Sequence, residues 1–333
     1  MRRLLPLLAL ILLTGSTWKN WGLDNDQAKS HVSAECAWRE ERPLRDVVVA
    51  VIDTGVDPDH PDLHGKLWCD PKVTGTCQYG WNFVTNTPNP KDEHGHGTHV
   101  AGIIGAKLNE YTGTAGIASR VRIMAIKYYS DAATGAVNLR RSVEAVDYAV
   151  QHGAQIINYS GGGPEFSEEE YLALKKAEAK GILIVAAAGN EHQDTDLVEN
   201  YYYPSAYRLT NIISVAATDI RNNLLRSSNW GRSKVDVAAP GENIYSTLPG
   251  GRYGYMSGTS QATAFVTGIA AMVLAGSPAA SPAEIINAIL VSVDKLPQLD
   301  SKVVTGGRVN ACQAVLAGQK RLKKCPALSC CAW

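Results

Sequence analysis

Residues 47–57 read VVVAVIDTGVD. Six apolar residues in a row, mostly β-branched and without polar alternation, describe a strand covered on both faces, which is how strands of a parallel sheet read. The run stops at Asp53. Four more stretches share its character: VRIMAIKY (121–128), AQIINYS (154–160), ILIVAAA (182–188) and NIISVAA (211–217). Helical stretches lie between them. In LRRSVEAVDYAVQHG, Leu139, Val143, Val146 and Val150 recur at helical spacing. SEEEYLALKKAEAKG opens with Ser167 and Glu170 placed as a capping box and stops at Gly181. SPAEIINAIL repeats the device, with Ser281 as cap, Pro282 at the first helical position and Glu284 reaching back. Strand and helix alternate, so the fold class is α/β: a doubly wound, mostly parallel sheet with helices on both faces. Such sheets hold ligands at the carboxyl ends of their strands, where Asp53 stands.

The chain has 333 residues and carries 32 basic against 32 acidic groups, so no global field recruits nucleic acid or an anionic membrane. MRRLLPLLALILLTGS joins two arginines to an apolar run from Leu4 to Leu13 and small residues at 14–16. This is the pattern of a signal peptide, residues 1–16, and implies secretion to an extracellular or periplasmic space. The run is shorter than the roughly 20 residues of a spanning helix, and no stable membrane span is expected. Seven cysteines fit an oxidising destination. Cys69 and Cys77 are expected to close the CDPKVTGTC loop; pairing among Cys36, Cys312, Cys325, Cys330 and Cys331 stays open, and an odd count leaves one thiol over. The expected organisation is an arm over 17–45, a catalytic-sized domain over 46–316 and a basic, cysteine-rich tail over 317–333.

Several groups could do chemistry. A lone DTG at 53–55 also marks the aspartic proteases, but those need two carboxylates sharing a proton, and no second DTG or DSG occurs. DEHGHGTHVAGIIGA (92–106) supplies His94, His96 and His99; it lacks the HExxH spacing of a zinc peptidase, and His94 and His99 read as packing or supporting groups. ILIVAAAGNE brings Asn190 to a strand end, where an amide can donate to an oxyanion or simply make a turn. In GTSQATAFVTG (258–268), Ser260 reads either as the cap of an apolar helix or as a nucleophile.

Together, VIDTGVD, HGTHVAG, AAGNE and SGTSQATA resemble, in order, the four sequence blocks of the subtilisin-like serine proteases, the subtilases. The order aspartate, histidine, serine separates them from the serine-first α/β-hydrolases. HPDL (60–63), INYSGGG (157–163), YPS (203–205), DVAAPG (236–241) and GRVNA (307–311) match as well, so the likeness covers roughly residues 18 to 316.

The resemblance implies a secreted endopeptidase that cuts extended protein segments through an acyl-enzyme. Ser260 would be the nucleophile, His96 the general base and acid, Asp53 the carboxylate that orients it, and Asn190, with the Ser260 amide, the oxyanion donors. Ser160, Gly161 and Gly162 would form the edge that pairs with substrate, and Ala188 and Gly189 a wall of the first side-chain pocket. Glu191 at its rim could attract a basic side chain. Proteins or peptides are the implied partners, with a monomer as the working form. No catalytic cofactor is implied; a structural calcium is, at Asp62 and the loop LNEYTGT (108–114), where Glu110 replaces a common asparagine. A dedicated processing protease or transpeptidase and a catalytically silent peptide-binding module remain as alternatives.

The pattern departs from the family in two places. Gln261, Ala264 and Phe265 stand where methionine, proline and histidine are common. Secreted members usually carry a folding propeptide, yet 17–45 already resembles the mature arm; folding without one, support from calcium and disulfides, and a trimmed start are all open readings. Glutamine cannot form the sulfoxide that a methionine beside the nucleophile forms. Activity is therefore expected to survive dilute peroxide in the native chain and to fall in Gln261→Met; rapid loss in both would refute the reading.

Overall fold

In a computed structural model, residues 18–24, 29–109 and 111–324 are described. Segment 1–16, Glu110 and Cys325, Cys330 and Cys331 lie outside the described residues. The strands are β1 (Val47–Asp53), β2 (Gly80–Asn82), β3 (Val121–Lys127), β4 (Ile156–Tyr159), β5 (Leu183–Ala187), β6 (Ile212–Thr218), β7 (Val237–Pro240), β8 (Ile244–Leu248), β9 (Arg252–Met256), β10 (Asp294–Lys295) and β11 (Gly307–Arg308). The helices are α1 (Ala34–Glu40), α2 (His96–Gly105), α3 (Gly135–Gln151), α4 (Glu168–Ala179), α5 (Thr259–Gly276), α6 (Pro282–Leu290) and α7 (Ala311–Lys324).

Nine strands form one sheet in the order β10-β11-β7-β6-β5-β4-β1-β3-β2, parallel except at the β10–β11 edge. All five strands read from the sequence are present. Alternate residues of β1 serve two cores: Val47, Val49 and Val51 pack with α2 and α5, whereas Ala50 and Ile52 pack with α3 and α4. This is why the run shows no polar position. The chain leaves β1 for β3 on one side and returns to β4 on the other. That reversal makes a crevice at the carboxyl end of β1, the usual ligand position in a doubly wound sheet.

Helix ends follow the expected chemistry with one correction. Ser281 and Glu284 make the full reciprocal box at α6. At α4, Ser167 Oγ accepts from the Glu170 amide at 3.2 Å, but the Glu170 carboxylate turns inward to accept from the Tyr159 and Tyr207 hydroxyls. Two phenol donors at a buried site outcompete one exposed backbone amide.

Every residue of α5 is buried, not one face. Its length and apolar character would let it cross a membrane, but here it is the core helix. The β8–β9 hairpin, unforeseen in the sequence, lies over α2, with Ser246 and Thr247 hydroxyls donating to the carbonyls of His99 and Thr98.

Cys69 pairs with Cys77 as expected, and Cys36 pairs with Cys312, tying α1 to α7. The tail boundary after residue 316 falls inside α7. That helix continues because Ala311, Ala314 and Val315 are buried, and Gln319 donates to the Glu40 carbonyl at 2.8 Å. Phe265 fills the space against the arm: a Cβ on Gly22 would lie 2.5 Å from Phe265 Cζ and 3.0 Å from Pro240 Cβ. Phe265→Ala is expected to cost about 3–5 kcal/mol, the usual price of emptying a fully buried aromatic site, measured as a shift in denaturation midpoint.

Candidate active site

β1 ends on Asp53, which is buried, and α2 begins on His96 beside it. His96 Nδ1 donates to Asp53 Oδ1 at 2.7 Å, and the Thr54 amide donates to the same oxygen at 2.7 Å. The two elements meet closely because residue 97 is glycine: a Cβ there would strike the Gly55 carbonyl and lie 3.1 Å from Asp53 Oδ1. With Nδ1 protonated toward the carboxylate, Nε2 is the basic nitrogen. The ring is 26% exposed, enough to meet a ligand.

Asp92 was not singled out in the sequence and organises this corner. It is buried and accepts from the Thr54 hydroxyl, the His94, Gly95 and Thr98 amides, and the Thr98 hydroxyl. The available signal was an acid four residues ahead of a helix start. Burial pushes the His96 pKa down; the charge and hydrogen bond of Asp53, with the charge of Asp92, outweigh it and raise the pKa above 6.5. His99, one turn on, has the opposite fate. Burial pushes it to about 4, and its Nε2 meets the Ile244 carbonyl at 2.9 Å, so it is a neutral packing group as expected.

Ser260 is the second residue of α5, not its cap; the cap position belongs to Gly258, whose φ of 154° a side chain would resist. Asn190 follows β5, and its Oδ1 accepts from the Thr259 amide at 2.9 Å. Its Nδ2 makes no hydrogen bond among the described residues. Ser260 Oγ donates to the Ser160 carbonyl at 2.9 Å, and no bond joins it to His96 among the described residues. Ser160 is held in turn: its hydroxyl accepts from Asn158 Nδ2 at 2.8 Å, and Asn158 Oδ1 accepts from Thr267 Oγ1 at 2.8 Å. This buried chain was missed because Asn158 sits mid-strand, where pattern reading expects only apolar residues.

Gly161 and Gly162 make no backbone hydrogen bonds among the described residues, whereas Gly163 pairs both ways with Tyr203, at 3.0 and 2.8 Å. A cavity of about 280 Å³ is lined by Asp53, His96, Ser160, Gly161, Gly162 and Tyr202. Ala188 is buried, and Glu191 Oε2 accepts from Asn229 Nδ2 at 2.6 Å. Gln261 is buried beside Ser260, with Nε2 lacking a partner among the described residues.

At the expected calcium site Glu110 lies outside the described residues, and Asp62 is buried. Its two oxygens already accept, from Asn109 Nδ2 at 3.0 Å and from the Tyr253 hydroxyl at 2.7 Å.

An aspartate–histidine pair, a serine at a helix start and an asparagine amide, all at the carboxyl end of one parallel sheet, define a serine-protease architecture. The subtilase family model matches residues 45–306. A thermophilic serine proteinase from Bacillus sp. (strain AK1) is 39% identical over 279 residues, 84% of this chain and 64% of that protein. Thermitase from Thermoactinomyces vulgaris is 39% identical over 267 residues, 80% of this chain and 88% of thermitase; for subtilisin E of Bacillus subtilis (strain 168) the shares are 72% and 58%. The chain thus spans less than two thirds of two of these relatives. Among solved structures, MycP1 with its N-terminal propeptide removed superposes with a TM-score of 0.71 at 27% identity, covering 88% of this chain and 97% of that one. A protease from Pseudoalteromonas arctica PAMC 21717 gives 0.74 at 25%, with 90% and 97% covered. The chain belongs to the subtilase family: it is a subtilisin-like serine endopeptidase in sequence and fold.

A base works only unprotonated, so with His96 in the role the resemblance implies, its raised pKa would place the acid limb of kcat/KM above pH 6.5, with activity lost as pH falls through it. Asp92→Asn removes one of the charges that raise it. The limb should move to lower pH in that variant; an unchanged midpoint would exclude the electrostatic role.

Proposed function

We propose that the protein hydrolyses peptide bonds in extended protein segments through an acyl-enzyme formed on Ser260. The observation that carries this reading is the 2.7 Å bond between His96 Nδ1 and Asp53, which leaves Nε2 as a base in a crevice lined by Ser160, whose carbonyl accepts from Ser260 Oγ at 2.9 Å. Substrate would run along Gly161 and Gly162, whose backbone groups have no partner among the described residues, as an added strand. A second cavity of about 420 Å³, lined by Tyr128, Tyr129, Gly162 and Tyr203 among others, lies along the same edge and would take one of its side chains.

Turning about one side-chain torsion frees Ser260 Oγ from the Ser160 carbonyl. The oxygen then attacks the substrate carbonyl carbon while its proton passes to His96 Nε2. Asn190 Nδ2 and the Ser260 amide donate to the oxyanion, at a helix start where negative charge is favoured. Collapse expels the amine, which takes the proton from His96. Water, deprotonated by the same nitrogen, releases the acid and restores Ser260. Asp53 stays ionised throughout and holds the imidazolium.

Secretion belongs to the same proposal. It rests on the signal-like segment 1–16 and on two disulfides, which persist in oxidising compartments. The working form is a monomer.

The test is labelling of the purified chain by a fluorophosphonate, beside Ser260→Ala, with calcium and with a chelator. Labelling is expected in the native chain only, with casein hydrolysis falling about 10⁶-fold in the variant, the scale for losing a nucleophile from a coupled triad. Loss of labelling on chelation would support a calcium ion at Asp62 and the 108–114 loop; unchanged labelling would leave Asp62 to its bonds with Asn109 and Tyr253. A folded native sample that does not label would favour the silent binding module. Cleavage confined to one sequence among many peptides would favour a dedicated processing enzyme.

A further inference from the structure

The first side-chain pocket of such a site is the gap between two walls, Ser160–Gly163 and Ala186–Gly189. The ring of Tyr202 stands in that gap. A Cβ on Gly162 would lie 2.5 Å from Tyr202 Cε1, and one on Gly189 would lie 2.8 Å from Tyr202 Cδ2. One aromatic ring thus touches both walls, each at a residue reduced to glycine where the ring approaches.

Its position is set by the backbone on both sides. Tyr203 pairs with Gly163 through two hydrogen bonds, and the Tyr202 carbonyl accepts from the Ser205 hydroxyl at 2.8 Å and from the Ala206 amide at 2.9 Å. The Cα from which the ring projects is therefore fixed beside the substrate edge. Glu191, whose carboxylate borders Gly189, turns one oxygen, Oε2, to Asn229 Nδ2 at 2.6 Å.

We propose that Tyr202 is the specificity-determining residue of the first pocket, and that it confines the residue on the acyl side of the cut bond to a small side chain such as alanine, glycine or serine. The inference rests on the proposed peptidase activity. A larger side chain meets the ring as an overpacked core residue would, and a pocket distinguishes side chains of different size by about 10- to 200-fold in kcat/KM. The basic-residue preference open in the sequence is thereby replaced: a lysine or arginine lacks the room.

The experiment compares the native chain, Tyr202→Gly and Tyr202→Phe on tetrapeptide p-nitroanilides that differ only in the cleaved residue: Ala, Leu, Phe or Lys. The native chain and Tyr202→Phe should cleave the alanine substrate at least about tenfold better in kcat/KM than the phenylalanine and lysine ones. Tyr202→Gly should raise kcat/KM for Phe and Leu, relative to Ala, at least about tenfold. A native chain that cleaves Phe or Lys as well as Ala overturns the inference. Should Tyr202→Gly fail to fold, peptide aldehydes ending in Ala or Phe, competing with the fluorophosphonate for the native chain, give the same answer: the alanine aldehyde must protect at least about tenfold better. The fluorophosphonate itself separates the two claims. Labelling with a Phe preference overturns the pocket assignment alone; neither labelling nor cleavage overturns the peptidase reading with it.

Discussion

Helix α5 is enclosed along its whole length, so every polar group it carries has to be satisfied inside the protein. That requirement shapes the site. The Thr259 amide takes Asn190 Oδ1, Thr267 takes Asn158, Thr263 bonds back to the Thr259 carbonyl, and Ser260 takes the Ser160 carbonyl. The helix start is thereby tied to the ends of β4 and β5 by side chains, not by loop packing. Asn190 shows the economy of the arrangement: its oxygen closes the helix start, and its NH2 is thereby turned to donate elsewhere. Gln261 breaks the pattern, with a buried amide nitrogen that finds no acceptor among the described residues. Such a group costs about 1–3 kcal/mol.

Electrostatics divide two histidines that stand three residues apart on α2. His96 meets two carboxylates and keeps an opening to solvent; His99 meets only backbone carbonyls under the β8–β9 hairpin. The same burial that makes His99 inert is overcome at His96 by charge. Asp92 serves this division twice, because its five hydrogen bonds fix the start of α2 and its charge favours the protonated form of the His96 ring.

The family pattern is kept where chemistry needs it and altered where packing can compensate. Phe265 replaces a polar ring with an apolar one, and the arm closes over it through Gly22. Asp62 keeps its carboxylate, which accepts from Asn109 and Tyr253. The Tyr202 ring stands between Gly162 and Gly189. These changes are local, and the sheet order that gathers Asp53, Ser160 and Asn190 is indifferent to them.

The five central strands, their parallel sense and the order Asp53, His96, Asn190, Ser260 were legible because each rests on a local pattern: an unbroken β-branched run, a cap, a glycine-led turn. The Cys69–Cys77 pair was legible for the same reason, being eight residues apart. What stayed hidden depends on residues far apart in the chain. Cys36 finds Cys312 across 276 positions, Glu170 leaves its helix cap for two tyrosines, and Asn158 is polar inside a strand for the sake of a threonine on α5. The ring of Tyr202 between Gly162 and Gly189 belongs to the same class. By itself the sequence determined which groups can react and at which strand ends they stand, because strand ends and helix starts are properties of short segments. Only the tertiary structure decided what each group touches, because hydrogen-bond partners and free space are set by segments that meet after the sheet has closed.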